Sequence, residues 1–392
     1  MAGSRVRVDR LRTAGVSMAG APGQHGGAPG QHGGVPGQHG GPVPGDRAGG
    51  PMPGDLAGRP RLRRRWPLAL AVGTVPAAAL ATLVLPAAGG LSAHWPWVAL
   101  IAFRGVLAAA TLGAAVPLAL VTLLARRRRR VATVVGTLTA VAVVATLGQL
   151  VVLATRGYGP QHPGGPPPPG TLTVVVTNTD HAAADPARLA ALYLGTGADV
   201  MAMPETGPGL AADVARRLAA AGRPVQVFGV AGQGLVAPTS LLVADRLGTY
   251  RQVGTDGADI GEVAARPDLP GEPWLFAVHP QAPVNPTLTR VWRGHTERAT
   301  GLCTGRPDAV LAGDFNSTVD HPALRGLHGC SDVAQRAGAG AMATWPQGLA
   351  PFFGAPLDHV FATSGWRPAA AWVEPIVGSD HRALVTRLVP VH

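Results

Sequence analysis

Three long apolar spans constrain this chain before any motif is considered. They run over residues 66–85, 95–124 and 131–154, and charge is nearly absent from each. A bilayer core of ~30 Å is crossed by about 20 apolar residues in a helix, so each span predicts a transmembrane helix. No cleaved signal peptide is expected, because the first span starts far from Met1 and two more follow. Arg59, Arg61, Arg63, Arg64 and Arg65 precede the first span, and Arg126 to Arg130 separate the second from the third. Excess arginine marks the cytoplasmic side. The N-terminus is therefore expected inside a cell membrane, and everything after Ala154 outside it. Arg104, near the outer end of the second span, is expected to snorkel to the membrane surface.

Residues 1–58 read as a disordered tail. The heptad Ala/Val-Pro-Gly-Gln-His-Gly-Gly repeats three times over 21–41, and Gly and Pro at that density cannot bury enough apolar surface to offset ordering. His25, His32 and His39 recur with the heptad; a flexible tail is the preferred reading over weak metal binding. Residues 59–155 form the helical region. Residues 156–170 contain a Gly-Gly-Pro-Pro-Pro-Pro-Gly run and read as a semi-rigid spacer holding the last domain off the membrane.

The net charge of +11 suggests nucleic-acid binding only at first sight. From Thr171 onward 16 Arg stand against 19 Asp and Glu, so that region carries 16 − 19 = −3. Strong nonspecific binding to a phosphate backbone needs clustered cations, which this region lacks. The basicity belongs to the flanks of the apolar spans. Lysine is absent, and the excess of Ala, Gly, Pro and Arg suggests a GC-rich bacterial genome.

From residue 171 to 392 short apolar strands alternate with Ala-rich helical segments. Strands are expected at 172–176, 200–203, 225–230, 240–243, 274–278, 309–312, 360–361, 370–373 and 383–388. Helices are expected at 186–194 and 210–221, and Asn285-Pro286 reads as a helix start with Asn as N-cap. Many connections are too short for crossovers. An α/β sandwich of two sheets flanked by helices fits better than a doubly wound sheet.

Six polar motifs fall in an order that reads as a metal-assisted phosphodiesterase site. Asn178 and Glu205 each follow an apolar strand. His279 lies in His-Pro-Gln-Ala-Pro, Asp314 and Asn316 in Gly-Asp-Phe-Asn, Asp358 in Pro-Leu-Asp-His, and Asp380 with His381 in Gly-Ser-Asp-His. Each motif alone has a bland reading as a turn or cap. A cation held by Glu205 would neutralise a phosphate that repels attacking water. Hard oxygen donors favour Mg²⁺ or Mn²⁺. Asp314 would orient the water or hold a second metal, and Asn316 would hydrogen-bond the phosphate. His381 would be a general base or an electrostatic clamp, oriented by Asp358, and His279 would donate to a phosphate oxygen. Asp380 and Asn178 are further candidate metal ligands. His295, His321 and His328 have no motif around them and read as surface or core fillers.

These residues resemble the endonuclease/exonuclease/phosphatase superfamily, with its deoxyribonuclease-I-like fold, over roughly residues 171–389. The resemblance rests on Asn178, Glu205, His279, the Gly313–Asn316 motif, Asp358 and the Ser379–His381 motif. It departs at Thr177, where the family has an aromatic, and at Pro204, where it has Gln. It implies a membrane-anchored bacterial member acting on a phosphoester: a nucleic acid, a lipid headgroup or a small molecule. The alternative is an inactive binding or scaffolding domain on a membrane anchor. Cys303 and Cys330, the only cysteines, are expected to pair in an oxidising compartment and to clamp the two sides of the strand carrying Asp314.

Overall fold

The computed structural model describes residues 66–85, 88–159, 167–254, 258–327 and 329–391. The expectations on His25, His32, His39 and His328 lie outside these residues. The chain begins with helix α1 (Trp66–Val84), a 3₁₀ turn and the short α2 (Trp97–Leu100). Helices α3 (Arg104–Leu124) and α4 (Arg129–Arg156) follow.

Among the described residues, two helices, α3 and α4, are long and apolar enough to cross a membrane, not three. The second span also starts later than expected, at Arg104 rather than Trp95. Pro96, which has no N–H to donate, stands at the N-cap of α2, and the chain turns again at Phe103 before α3 begins. Helices α3 and α4 pack through small residues, with Ala108, Ala115, Ala142 and Ala145 buried, which lets the backbones approach closely. Thr111 and Thr146 hydroxyls meet at 2.8 Å across the pair.

The remaining chain forms four layers. One sheet has the order β11-β12-β1-β2-β4-β3, comprising β1 (Leu172–Val176), β2 (Val200–Pro204), β3 (Val225–Val230), β4 (Thr239–Ala244), β11 (Trp366–Pro375) and β12 (Arg382–Pro390). The other has the order β5-β6-β7-β8-β10-β9, comprising β5 (Tyr250–Gln252), β6 (Val263–Pro267), β7 (Trp274–Val278), β8 (Ala309–Asp314), β9 (Cys330–Asp332) and β10 (Asp358–Thr363). Helices α5 (Pro186–Thr196) and α6 (Pro208–Ala220) cover the first sheet, and α7 (Pro286–Gly301) covers the second. The short helices α8 (Pro322–Arg325) and α9 (Val333–Arg336) flank β9.

The alternation of strand side chains builds these layers. Val174 and Val176 of β1, Val200 and Ala202 of β2, and Leu241 and Val243 of β4 meet Leu275, Ala277, Val310, Ala312 and Val360 between the sheets. Their alternates Val175, Met201, Met203 and Leu242 pack under α5 and α6. Phe276, Val278, Leu311 and Phe361 pack under α7. As expected from Asn285-Pro286, the Asn285 side chain caps α7 by accepting from the Thr287 and Leu288 N–H groups. Cys303 and Cys330 form the expected disulfide, with Cα atoms 5.7 Å apart, joining the end of α7 to β9. It closes a loop of 27 residues that contains β8.

The helices dock directly on this sandwich. Arg104 does not snorkel: it is 3% exposed and forms a bidentate pair with Asp320, Nε to Oδ2 at 2.7 Å and Nη2 to Oδ1 at 2.5 Å. Arg156 at the end of α4 grips the same carboxylate at 2.7 and 2.5 Å. The Gly340 and Ala341 N–H groups donate to the Arg156 and Gly157 carbonyls, both at 2.9 Å. Gly105 and Gly157 allow the contact. A Cβ on Gly105 would lie 1.7 Å from the Phe352 carbonyl, and one on Gly157 1.9 Å from the Gly338 carbonyl.

Candidate active site

Strand direction gathers the polar motifs on one edge. Strands β1 and β2 are parallel, as are β7 and β8, so each pair ends on the same side. Strands β12 and β10 run antiparallel to β1 and β8, so their amino ends meet those carboxyl ends. Asn178 lies just past β1, Glu205 follows β2, His279 follows β7 and Asp314 ends β8. Asp358 opens β10 directly opposite Asp314 in the register, and His381 immediately precedes β12.

The side chains converge. Asn178 Nδ2 donates to Glu205 Oε1 and to Asp314 Oδ2, both at 3.0 Å. His279 Nε2 lies 3.6 Å from Glu205 Oε1 and 3.8 Å from Asp314 Oδ2. His381 Nε2 approaches the same Asp314 oxygen at 3.8 Å, while its Nδ1 is 2.8 Å from Asp358 Oδ2. Asp358 thus sits behind the imidazole, and Asp314 sits between two imidazoles. Asn316 donates its backbone N–H to Asp314 Oδ1 at 2.8 Å and its side-chain amide to the Pro280 carbonyl at 3.1 Å. That leaves one amide hydrogen free for a ligand. Asp380 is half exposed, accepts from Trp345 Nε1 at 2.8 Å, and lies 3.9 Å from His381 Nε2.

Burial alone would lower the basicity of His381, but the Asp358 and Asp314 carboxylates outweigh it and raise its pKa to about 10. Burial also pushes the Asp358 carboxyl above its usual range, an effect that the facing imidazolium opposes. The proton of this pair resides on the imidazole, the more basic partner. His381 is thereby a cation aimed at the cleft, and Asp314 is the carboxylate beside it.

Backbone strain collects at the same place. Asp180, His181, Glu205 and Asn316 all have φ between +46° and +59°, and all four line the cleft. Left-handed backbone at a non-glycine residue costs roughly 1–3 kcal/mol and persists where the surroundings over-determine it. Here the fixing contacts are the Asp180 N–H to Asn178 Oδ1 and the His181 N–H to Glu205 Oε2, both 3.0 Å.

The donor set suits a hard divalent cation. Glu205, Asp314 and Asp358 stand close together, and among the described residues no arginine pairs with any of them. Ligand atoms of Asp180, His181 and Glu205 lie within 4.8 Å of one another, as do those of Asp314, Asp358 and His381. Asp180 and His181 were missed by sequence reasoning, although they directly follow the Asn178 motif. Trp345, whose ring centroid lies 6.4 Å from that of His381, carried no signal. His321, read as a surface or core residue, is buried beside the cleft, Nε2 donating to the Val98 carbonyl at 2.9 Å.

The endonuclease/exonuclease/phosphatase family model matches residues 175–381. No curated protein matches the chain. Among solved structures, an endonuclease/exonuclease/phosphatase from Beutenbergia cavernae is 20% identical, with 56% of this chain and 72% of that one covered and a TM-score of 0.43. D. rerio TDP2 complexed with a single-strand DNA product is 18% identical, covering 56% and 98%, with a TM-score of 0.44. A mannosyl-6-phosphatase from Bacteroides thetaiotaomicron is 14% identical, covering 56% and 99%, with a TM-score of 0.40. With its mixed two-sheet sandwich of deoxyribonuclease-I-like type and the family match across the whole site, this chain belongs to the endonuclease/exonuclease/phosphatase family.

Proposed function

We propose that the protein is a membrane-anchored phosphoester hydrolase that uses a divalent cation and works outside the cytoplasm. The observation that carries this reading is the convergence of Glu205, Asp314 and Asp358 with His279 and His381, without an arginine among them. Glu205 is the principal candidate ligand for Mg²⁺ or Mn²⁺, with Asn178 beside it and Asp380 as a further oxygen donor. The cation would neutralise charge on the phosphate and on the leaving oxygen.

The protein's own residues supply the rest. Asp314 orients the attacking water and takes its proton as the water oxygen bonds to phosphorus. His381, held by Asp358, donates to a phosphate oxygen as the P–O bond to the leaving group breaks. His279 donates to a second phosphate oxygen, and the free amide hydrogen of Asn316 to a third. The leaving oxygen is protonated from solvent.

The anchor is the α3–α4 hairpin. Its turn carries Arg126 to Arg130 and lies at the end away from the docked domain, which supports a cytoplasmic turn and an external domain. Alkaline phosphatase fused after His392 should be active in cells; activity of a cytoplasmic reporter there instead would reverse the topology.

Full-length protein in detergent with Mg²⁺ should release p-nitrophenolate from bis(p-nitrophenyl) phosphate or from p-nitrophenyl phosphate. Release from neither would overturn the hydrolase reading and favour an inactive scaffolding domain.

A further inference from the structure

The cleft has a volume of about 430 Å³, and one of its sides is not part of the sandwich. Val98, Ala99, Ala102 and Phe103, from α2 and the turn before α3, form that side. Leu235 from the β3–β4 connection and Val284 from the β7–α7 connection, 74% and 67% exposed, also line it. The polar floor of Glu205, His279, Asp314 and His381 therefore lies at the bottom of an apolar slot. No arginine lines it among the described residues, so nothing there tracks a polyanionic strand.

The apolar side is fixed in place. The Val98 carbonyl accepts from His321, Arg104 is locked on Asp320, and Gly105 lies against the Phe352 backbone. It also continues into α3, where Val106, Leu112 and Val116 are 42%, 52% and 64% exposed. The apolar side of the cleft thus runs directly into the start of a candidate membrane helix at Arg104.

We infer that the substrate is the phosphoester of a membrane lipid, drawn from the bilayer surface along the Val98–Phe103 side, its chain against that side and its phosphate on the polar floor. This rests on the hydrolase and anchor readings above. Leu235 and Val284 close the slot over the first methylenes of the chain and so select for a lipid over its soluble analogue.

The test uses full-length protein in phosphatidylcholine vesicles with Mg²⁺ and two diesters with one leaving group. Hexadecyl p-nitrophenyl phosphate resides in the bilayer, and methyl p-nitrophenyl phosphate stays in water. In each, water bonds to phosphorus and p-nitrophenolate leaves. The readout is the ratio of lipid to soluble turnover in the parent and in Leu235→Ser/Val284→Ser. Both positions are exposed, so folding is spared, and partitioning of the lipid into the vesicle is the same for both proteins. The ratio should fall roughly tenfold or more in the variant, as expected when about two methylene groups lose their cover. An unchanged ratio, or turnover of the methyl ester alone, would overturn the lipid inference and leave the hydrolase reading intact. Turnover of neither ester would overturn both.

Discussion

Arg104 and Asp320 are 216 positions apart, yet they form a bidentate ion pair with both side chains 3% exposed. One residue opens a candidate membrane helix and the other belongs to the sandwich, so the pair sets where the site lies relative to the helices. Arg156 shares the carboxylate and Gln149 accepts from the Arg104 Nη1 at 2.6 Å. Burial would raise the Asp320 pKa, but the two guanidinium groups outweigh it and hold the carboxyl well below the usual range. Asp320→Ala would strand two cations and should destabilise docking by about 3–5 kcal/mol. Limited proteolysis after Gly157 should accelerate in detergent; an unchanged digestion pattern would mean that the pair does not hold the domain. Gly105→Ala should loosen the same contact by about 1–3 kcal/mol through overpacking.

His321 makes docking sensitive to acid. Burial lowers its pKa to about 4, and the Thr318 N–H already donates to Nδ1, leaving no room for a second proton. A folded pKa below the unfolded value means that the unfolded state binds the proton first. Stability is then complete above about pH 6.5 and is lost as pH falls towards about 4, by at most about 3 kcal/mol. Thermal melting followed across that range should show the slope, and His321→Asn should flatten it.

The His381–Asp358 pair should behave as one unit. Loss of a donor aimed at charge developing on the phosphate costs about a hundred- to a thousand-fold in rate. His381→Ala should lie in that range and also lower the melting temperature, because it leaves the buried Asp358 carboxyl without its partner; Asp358→Asn should follow in rate, and the double variant should lose little more rate than His381→Ala alone. Additive losses would separate the two residues. In chelator-treated protein the imidazolium signal of His381 should persist to about pH 10, and Asp358→Asn should bring it down. Because the folded pKa is raised, the pair stabilises fully below about pH 6.5, and its contribution is lost as pH rises to about 10.

Strands whose two faces are both buried were legible in the sequence. Residues 200–203 and 274–278 are continuous apolar runs, and 172–176 is one broken only by Thr173, because each lies in a sheet covered on both sides, and the structure places strands there. Strands β5 and β9 were not legible: Tyr250–Gln252 and Cys330–Asp332 are short, polar edge strands that take their conformation from a neighbour. Strand β6 was missed too, being interrupted by arginine and proline at Arg266 and Pro267. The polar positions from Asn178 to His381 could be read in order, since each stands where an apolar strand stops or starts. That Asp314 and Asp358 are register partners could not, because pairing is set by the whole sheet. The role of Arg104 was misread because its partner is distant in sequence, and Val98–Phe103 resembles any membrane segment until its position over the cleft is known.

The disulfide should stabilise by about 3–4 kcal/mol in the chain-entropy model, given the sequence separation of 27 between Cys303 and Cys330. Reduction, or Cys303→Ser/Cys330→Ser, should lower the melting temperature and loosen β8, which carries Asp314. Mass spectrometry of protein from its native compartment should find no free thiol at either position.

The central claim is a hydrolase whose cation rests on Glu205. Glu205→Gln keeps the shape of the side chain and removes the charge that a hard cation needs. The decisive measurement is p-nitrophenolate release by full-length parent and Glu205→Gln, each titrated with Mg²⁺ and with chelator, alongside their melting curves. Activity of the parent should rise with Mg²⁺ and vanish in chelator, and the variant should be folded but inactive. Full activity of either protein in excess chelator would contradict it.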